Sequence, residues 1–413
     1  MEIKREYYLK QLIDKQGNGL IKIVTGLRRC GKSYLLDPMF KNYLLSTGVN
    51  EEHIIKIDLD IRENSKYLDP DVLNRYVKSK IIDNSNYYII LDEVQKVKDF
   101  ESVLNGFLKM GNVDVYVTGS NSKFLSKDII TEFRGRGDDI HVYPLSFAEF
   151  YSVYEGDRIS AWKEYITYGG LPLVLNQKTN EGKVNYLNNQ QKNVYLNDVI
   201  ERNKIKNDKE LYELIRIISS SVGSLTNPTK LYNTFVSKGS GDSISDKTIY
   251  NYLSYLEDAF IIEKSSRYDI KGKKYIETPY KYYFVDIGIR NSLLGFRQIE
   301  ENHIMENVIY IELKRRGFNV DVGVVETTEK NKHKKLEIDF IVNKGYDRYY
   351  IQSALNIDSE EKKQQELRPL LNVKDFFKRI VVVNGDIPMY KNEEGILIIG
   401  IFDFLLNENS LDF

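Results

Sequence analysis

Residues 20–36, LIKIVTGLRRCGKSYLL, decide how the chain is read. A short β-branched apolar run ends in a glycine-containing loop, and an amphipathic helical pattern begins at Lys32. Inside the stretch, Gly26-Leu27-Arg28-Arg29-Cys30-Gly31-Lys32-Ser33 fully matches G-x-x-x-x-G-K-[ST], with a strand before it and a helix after it. The glycines permit a loop whose backbone N–H groups surround phosphate oxygens at a helix N-terminus. Gly26 through Ser33, with Tyr34 following, are therefore expected to cradle a nucleotide. Lys32 would reach the β- and γ-phosphates, and the Ser33 hydroxyl would bind Mg²⁺. ATP and Mg²⁺ are the expected ligands. The Cys30 side chain is expected to pack, without a chemical role.

A second motif supports the first. YYIILDE (87–93) is an apolar strand ending in Asp92-Glu93. Asp92 is expected to hold the Mg²⁺ shell, and Glu93 to orient and polarise an attacking water. An acid at position 93 favours hydrolysis over binding alone. VYVTGSNS (115–122) offers Ser120 or Asn121 as a polar strand tip near the γ-phosphate, with simple turn residues as the alternative. Arg134 and Arg136, in FRGR, precede the next strand. Arg136 is the preferred arginine for transition-state charge, in cis or from a neighbouring subunit.

Working outward, HIIKIDLD (53–60), YYIILDE, VDVYVTGS (113–120) and DIHVYPL (139–145) read as buried strands. Helical patterns at 69–82 and 99–110 lie between them. Strands alternating with helices predict an α/β fold with a mostly parallel sheet over 1–145. Residues 146–205 read as a helical lid or linker. Three helical runs and two extended pieces joined by KGKK predict a winged helix-turn-helix over 206–298. The remainder, 299–413, returns to a small α/β pattern. The 413 residues carry 59 Lys+Arg against 60 Asp+Glu, so a protein coated in positive charge is excluded, though a local basic face is not. One cysteine, no apolar run of about 18 residues and no signal-peptide core lead to an expected cytoplasmic location without membrane contact.

The chain resembles a large prokaryotic family of AAA-like P-loop ATPases that carry a winged helix and a restriction-endonuclease-like C-terminal domain. The matching segments are GLRRCGKSYLL, IILDEVQ, VTGSNS, FRGR…YPLSFAEF, YGGLPLV, YLNDVIER and EIDFIV, spread over residues 21–342. The resemblance implies an AAA-type sheet and nucleotide-controlled domain movement. In the winged helix, Ser245 is expected to cap a recognition helix exposing Lys247, Thr248, Asn251 and Tyr255. Lys271, Lys273 and Lys274 would form a wing for duplex DNA. Glu257, Asp258 and the lack of arginine on that helix fit protein docking equally well.

The C-terminal resemblance is to the PD-(D/E)xK nuclease core. Glu306 fits its helix acid and Asp339 its metal-binding aspartate, with Glu337 adjacent. Gln352 stands where the second acid belongs, and Ala354 where the lysine belongs. Lys362 or Lys363 would have to reach back to replace that lysine. A degenerate nuclease fold used for binding or assembly is the expectation. The function expected overall is a Mg²⁺-dependent ATPase that couples hydrolysis to rearrangement of the later domains. Its rivals are a nucleotide-controlled DNA-binding switch and an active ATP-controlled nuclease. A homo-oligomer is expected from Arg134 and Arg136 if they lie near a subunit boundary.

Overall fold

The computed structural model describes residues 3–119, 135–237, 244–329 and 332–412, in two compact units. The first runs to Pro144 and includes Asp258–Phe260. Its strands are β1 (Ile21–Thr25), β2 (Ile54–Asp58), β3 (Tyr87–Asp92), β4 (Val113–Thr118) and β5 (Gly137–His141). They pair in the order β2-β3-β4-β1-β5, every pair parallel. The inner strands β1 and β3 are buried along their whole length, which accounts for their unbroken apolar runs. Edge strand β2 alternates instead, with Lys56 exposed, and a charged edge resists pairing with another sheet. The strand expected at 139–145 lies at 137–141 because the chain then leaves the sheet. Val142 N still bonds Thr25 O at 2.8 Å, but the Val142 carbonyl turns toward the loop after β1.

Parallel strands need crossovers, and the helices Pro70–Lys80 and Phe100–Leu108 supply two of them. Asp69 caps the first by accepting from Asp71 N and Val72 N at 2.9 and 3.0 Å, with Pro70 in the first turn, where its missing N–H costs nothing.

The second unit holds residues 145–257 and 261–412. Its eight strands are β6 (Ile262–Asp269), β7 (Lys274–Phe284), β8 (Asn319–Glu329), β9 (Lys332–Lys344), β10 (Asp347–Ala354), β11 (Lys378–Val383), β12 (Tyr390–Lys391) and β13 (Leu397–Gly400). They form one mixed sheet in the order β12-β13-β11-β10-β9-β8-β6-β7. Helices Asp208–Ser220, Pro228–Ser237 and Asp246–Asp258 precede the β6–β7 hairpin. Ser245 Oγ accepts from Thr248 N at 3.2 Å, capping the third helix. β6 also pairs in parallel with β8, so this hairpin and the strands of the C-terminal segment share one sheet. Among the described residues, no helix is long and apolar enough to cross a membrane.

The YGGLP segment (168–172) meets the helix Ile287–Leu293 through one buried carboxylate. Asp286 accepts from Gly170 N at 2.7 Å and from Ile289 N at 3.0 Å. Gly169 has φ +76°, and a Cβ there would lie 2.4 Å from the Asp286 carboxylate, so only glycine fits. Next along the helix, the fully buried Arg290 bonds Ser219 O at 2.8 Å, and Asn291 bonds Ile166 O and Thr167 O at 2.8 and 2.9 Å. A seven-residue helix thus ties the helix Arg158–Tyr168 to the helix Asp208–Ser220.

Burial pushes the Asp286 carboxyl up to about 6, although the backbone donors around it favour its charged form. Asp286→Ala leaves two backbone donors without their acceptor and should destabilise the protein by about 2–4 kcal/mol in urea denaturation. Because the folded pKa lies above the unfolded one, the wild-type advantage over Asp286→Ala is greatest below the unfolded pKa. It should shrink as pH rises to about 6 and level off above that.

Candidate nucleotide site

The loop leaving β1 is built against the chain that leaves β5. Gly26 has φ +137°, and a Cβ on it would sit 2.1 Å from Val142 O. Cys30 is fully buried and its Sγ donates to the same carbonyl at 3.2 Å, so the thiol packs as expected. Arg5, also buried, donates to Cys30 O at 2.9 Å and to Tyr143 O at 2.7 Å. Sequence reading gave this N-terminal arginine no role, because nothing in its neighbourhood marks it. Leu27 is buried, Arg28 half-buried, Arg29 exposed at φ +64°, and Gly31 at φ +102° caps the helix that begins at Lys32.

Lys32 is 4% exposed, and its ammonium donates to Gly26 O and Leu27 O, both at 3.0 Å. Those are the loop's own carbonyls; among the described residues it has no carboxylate partner. Ser33 and Tyr34 are exposed beside it. A buried ammonium with only neutral acceptors, next to a free hydroxyl at a helix start, fits the phosphates of a nucleotide.

β4 lies between the loop strand β1 and the acidic strand β3, and its last residue joins the two. Thr118 is fully buried, donates its hydroxyl to Asp92 Oδ1 and accepts from Glu93 N at 2.8 Å. Asp92 is 8% exposed, whereas Glu93 is half-exposed in the left-handed region at φ +54°, and its carboxylate accepts from the Gln95 amide. Asp92, Ser33 and Lys32 thus fit a Mg²⁺–nucleotide complex by donor chemistry. Sequence reading did not single out Thr118. The available signal was a hydroxyl directly after the last apolar residue of the central strand.

Ser120, Asn121 and Arg134 lie outside the described residues. Arg136 is not brought to the loop within its own chain. Its carbonyl accepts from Ile21 N at 2.8 Å, level with the start of β1, and its guanidinium donates to Asn105 at 3.3 Å. The loop leaves the other end of β1, about 16 Å away at 3.3 Å per residue, beyond the reach of an arginine side chain. Strand direction thus places Arg136 at the end of β1 away from the loop.

The expected nuclease-type acids form a second cluster, closed by a residue that sequence reading did not single out. Lys281 on β7 places its ammonium 2.8 Å from Glu306, 2.9 Å from Glu337 and 3.9 Å from Asp339. Burial alone would push the Lys281 pKa down, but the three carboxylates outweigh it and hold it above the usual lysine value. Glu306 also accepts from Tyr283 OH at 2.6 Å, and Asp339 from Ser353 N at 2.8 Å. Gln352 accepts from Asp339 N at 3.3 Å and donates to Glu366 at 3.2 Å. Ala354 is buried in the apolar core of the sheet. Lys362 does not reach back, since its ammonium bonds Asn356 at 2.9 Å.

Comparison with known proteins agrees with the first site. An AAA domain model matches residues 18–151, and a model for a domain of unknown function matches 159–300. An uncharacterized protein of Haemophilus influenzae is 34% identical, with 98% of each chain covered. Another, of Methanocaldococcus jannaschii, is 29% identical over 97% of this chain and 88% of its own. Among solved structures, a Walker-type ATPase of Pyrococcus abyssi superposes with a TM-score of 0.50 at 16% identity, covering 71% of this chain and 96% of that one, a likeness of fold. The loop, the parallel sheet and these matches together place the chain in the same family as the Haemophilus influenzae protein, with an AAA-type P-loop domain at its N-terminal end.

Proposed function

We propose that the protein is a Mg²⁺-dependent ATPase whose turnover rearranges its second unit. The observation that carries this reading is Lys32, a buried ammonium that, among the described residues, is satisfied only by the carbonyls of its own loop. On ATP binding it exchanges those acceptors for β- and γ-phosphate oxygens, which form charge-assisted bonds about twice as strong as neutral ones. The loop N–H groups from Gly26 to Tyr34 hold the phosphates in place, and Ser33 and Asp92 hold Mg²⁺. When bound, the metal neutralises charge developing on the phosphate oxygens. Thr118 keeps Asp92 oriented by donating to its carboxylate. Glu93 accepts a hydrogen bond from the attacking water, and Asn121 lies close enough in sequence to Thr118 to assist.

Arg136 serves the site of a neighbouring copy, since its own lies at the far end of the sheet. The protein on this reading works as a homo-oligomer. Val142 and Tyr143, which support the loop, lead directly into the second unit, giving a covalent route for the rearrangement. A second reading, a nucleotide-controlled DNA-binding switch, is favoured by Lys271, Lys273 and Lys274, all exposed at the hairpin tip.

Lys32→Ala should reduce phosphate release from ATP to background. Glu93→Gln should keep ATP binding while lowering kcat about 10²-fold or more, leaving labelled ATP bound and uncleaved. Wild-type turnover in Lys32→Ala would end the proposal. For the second reading, hydrolysis and duplex binding are measured together at low salt. Replacing Lys271, Lys273 and Lys274 with Glu should remove salt-sensitive binding, and binding that ignores both nucleotide and these lysines would count against it.

A further inference from the structure

The nuclease core that the C-terminal segment resembles uses a divalent cation held by carboxylates. The residues present here do not fit one. Each carboxylate already has its partners: Glu306 takes Lys281 and Tyr283, Glu337 takes Lys281, and Asp339 takes Ser353 N. The remaining expected ligand, Gln352, has its amide oxygen on Asp339 N and its amide nitrogen on Glu366. Among the described residues, no group of three or more His, Cys, Asp or Glu is arranged to hold a metal ion. The cation at the centre is the lysine itself, with only 4% of its side chain exposed.

We propose that the Lys281 ammonium takes the place of the divalent cation, making this centre a metal-free charge lock. An ammonium donates three hydrogen bonds and is satisfied by oxygens near 2.8 Å, whereas Mg²⁺ demands six oxygens at about 2.0–2.1 Å. Both cannot occupy the same carboxylates, and bound metal would face the lysine charge at contact distance. Nor can this lysine replace the one missing at Ala354 as an activator of water. Its proton is held by the surrounding carboxylates, and its nitrogen has no free lone pair. What the lock does is mechanical. It ties β7, which lies at the end of the sheet order next to β6, to the helix Glu301–Arg315 and to β9.

The test counts bound Mn²⁺ in full-length protein without nucleotide, in a Lys32→Ala background that also carries Asp92→Asn, which removes the carboxylate expected to hold metal at the P-loop. Electron paramagnetic resonance of free Mn²⁺ gives the count. This parent chain should bind none at the cluster. Adding Lys281→Met should create one site, at least tenfold tighter than anything in the parent, which Asp339→Asn then removes. Mn²⁺ bound by the parent and lost on Asp339→Asn would overturn the proposal, as would a folded Lys281→Met chain that gains no site. If Lys281→Met fails to fold, the parent measurement still decides. None of these outcomes depends on whether the protein hydrolyses ATP.

Discussion

The Gly26 backbone lies against the Val142 carbonyl with no room for a side chain, and the nucleotide site depends on that approach. It forces the loop to rest on the exit of β5, where Cys30 reaches the same carbonyl and Arg5 bridges Cys30 to Tyr143. A phosphate loop works only when its N–H groups are fixed before the ligand arrives, so that binding energy is not lost in ordering them. Here the fixing comes from beneath. The loop's own sequence supplies the conformation through Gly26, Arg29 and Gly31, and the segment after β5 supplies the floor.

The second unit handles buried charge in two ways. Asp286 is alone among backbone donors, and its raised pKa marks the cost of keeping a carboxylate away from water. Lys281 is surrounded by acids, and its raised pKa marks the reverse, a cation more stable inside than out. Both are joints between elements far apart in sequence. Such joints specify one arrangement because removing either partner leaves the other buried and unsatisfied.

Much of the first unit was legible in the sequence because its signals are local. Strand, loop and helix follow one another between 20 and 36, and the acidic strand announces itself by five apolar residues and two acids. What escaped were contacts across the sheet. Thr118 gains its place only when β4 is set between β1 and β3, and Arg136 falls away from the loop only when β5 is known to run parallel to β1. In the second unit, the acids Glu306, Glu337 and Asp339 were picked out by the resemblance to a nuclease core, but their partner was not. Lys281 precedes them in the chain, on a strand read as part of a hairpin, and no spacing rule links it to an acid-x-Lys pattern that reads Gln352-Ser353-Ala354.

The Thr118 hydroxyl has one proton, and at present that proton belongs to Asp92 while the oxygen accepts from Glu93 N. Such a group is a relay with a single token. A shift of the Asp92 carboxylate therefore acts on the same oxygen that fixes the amide of Glu93. That amide belongs to a residue already held at positive φ, a conformation that persists only where its surroundings fix it. The position of one acid is thereby tied to that of its neighbour through one oxygen.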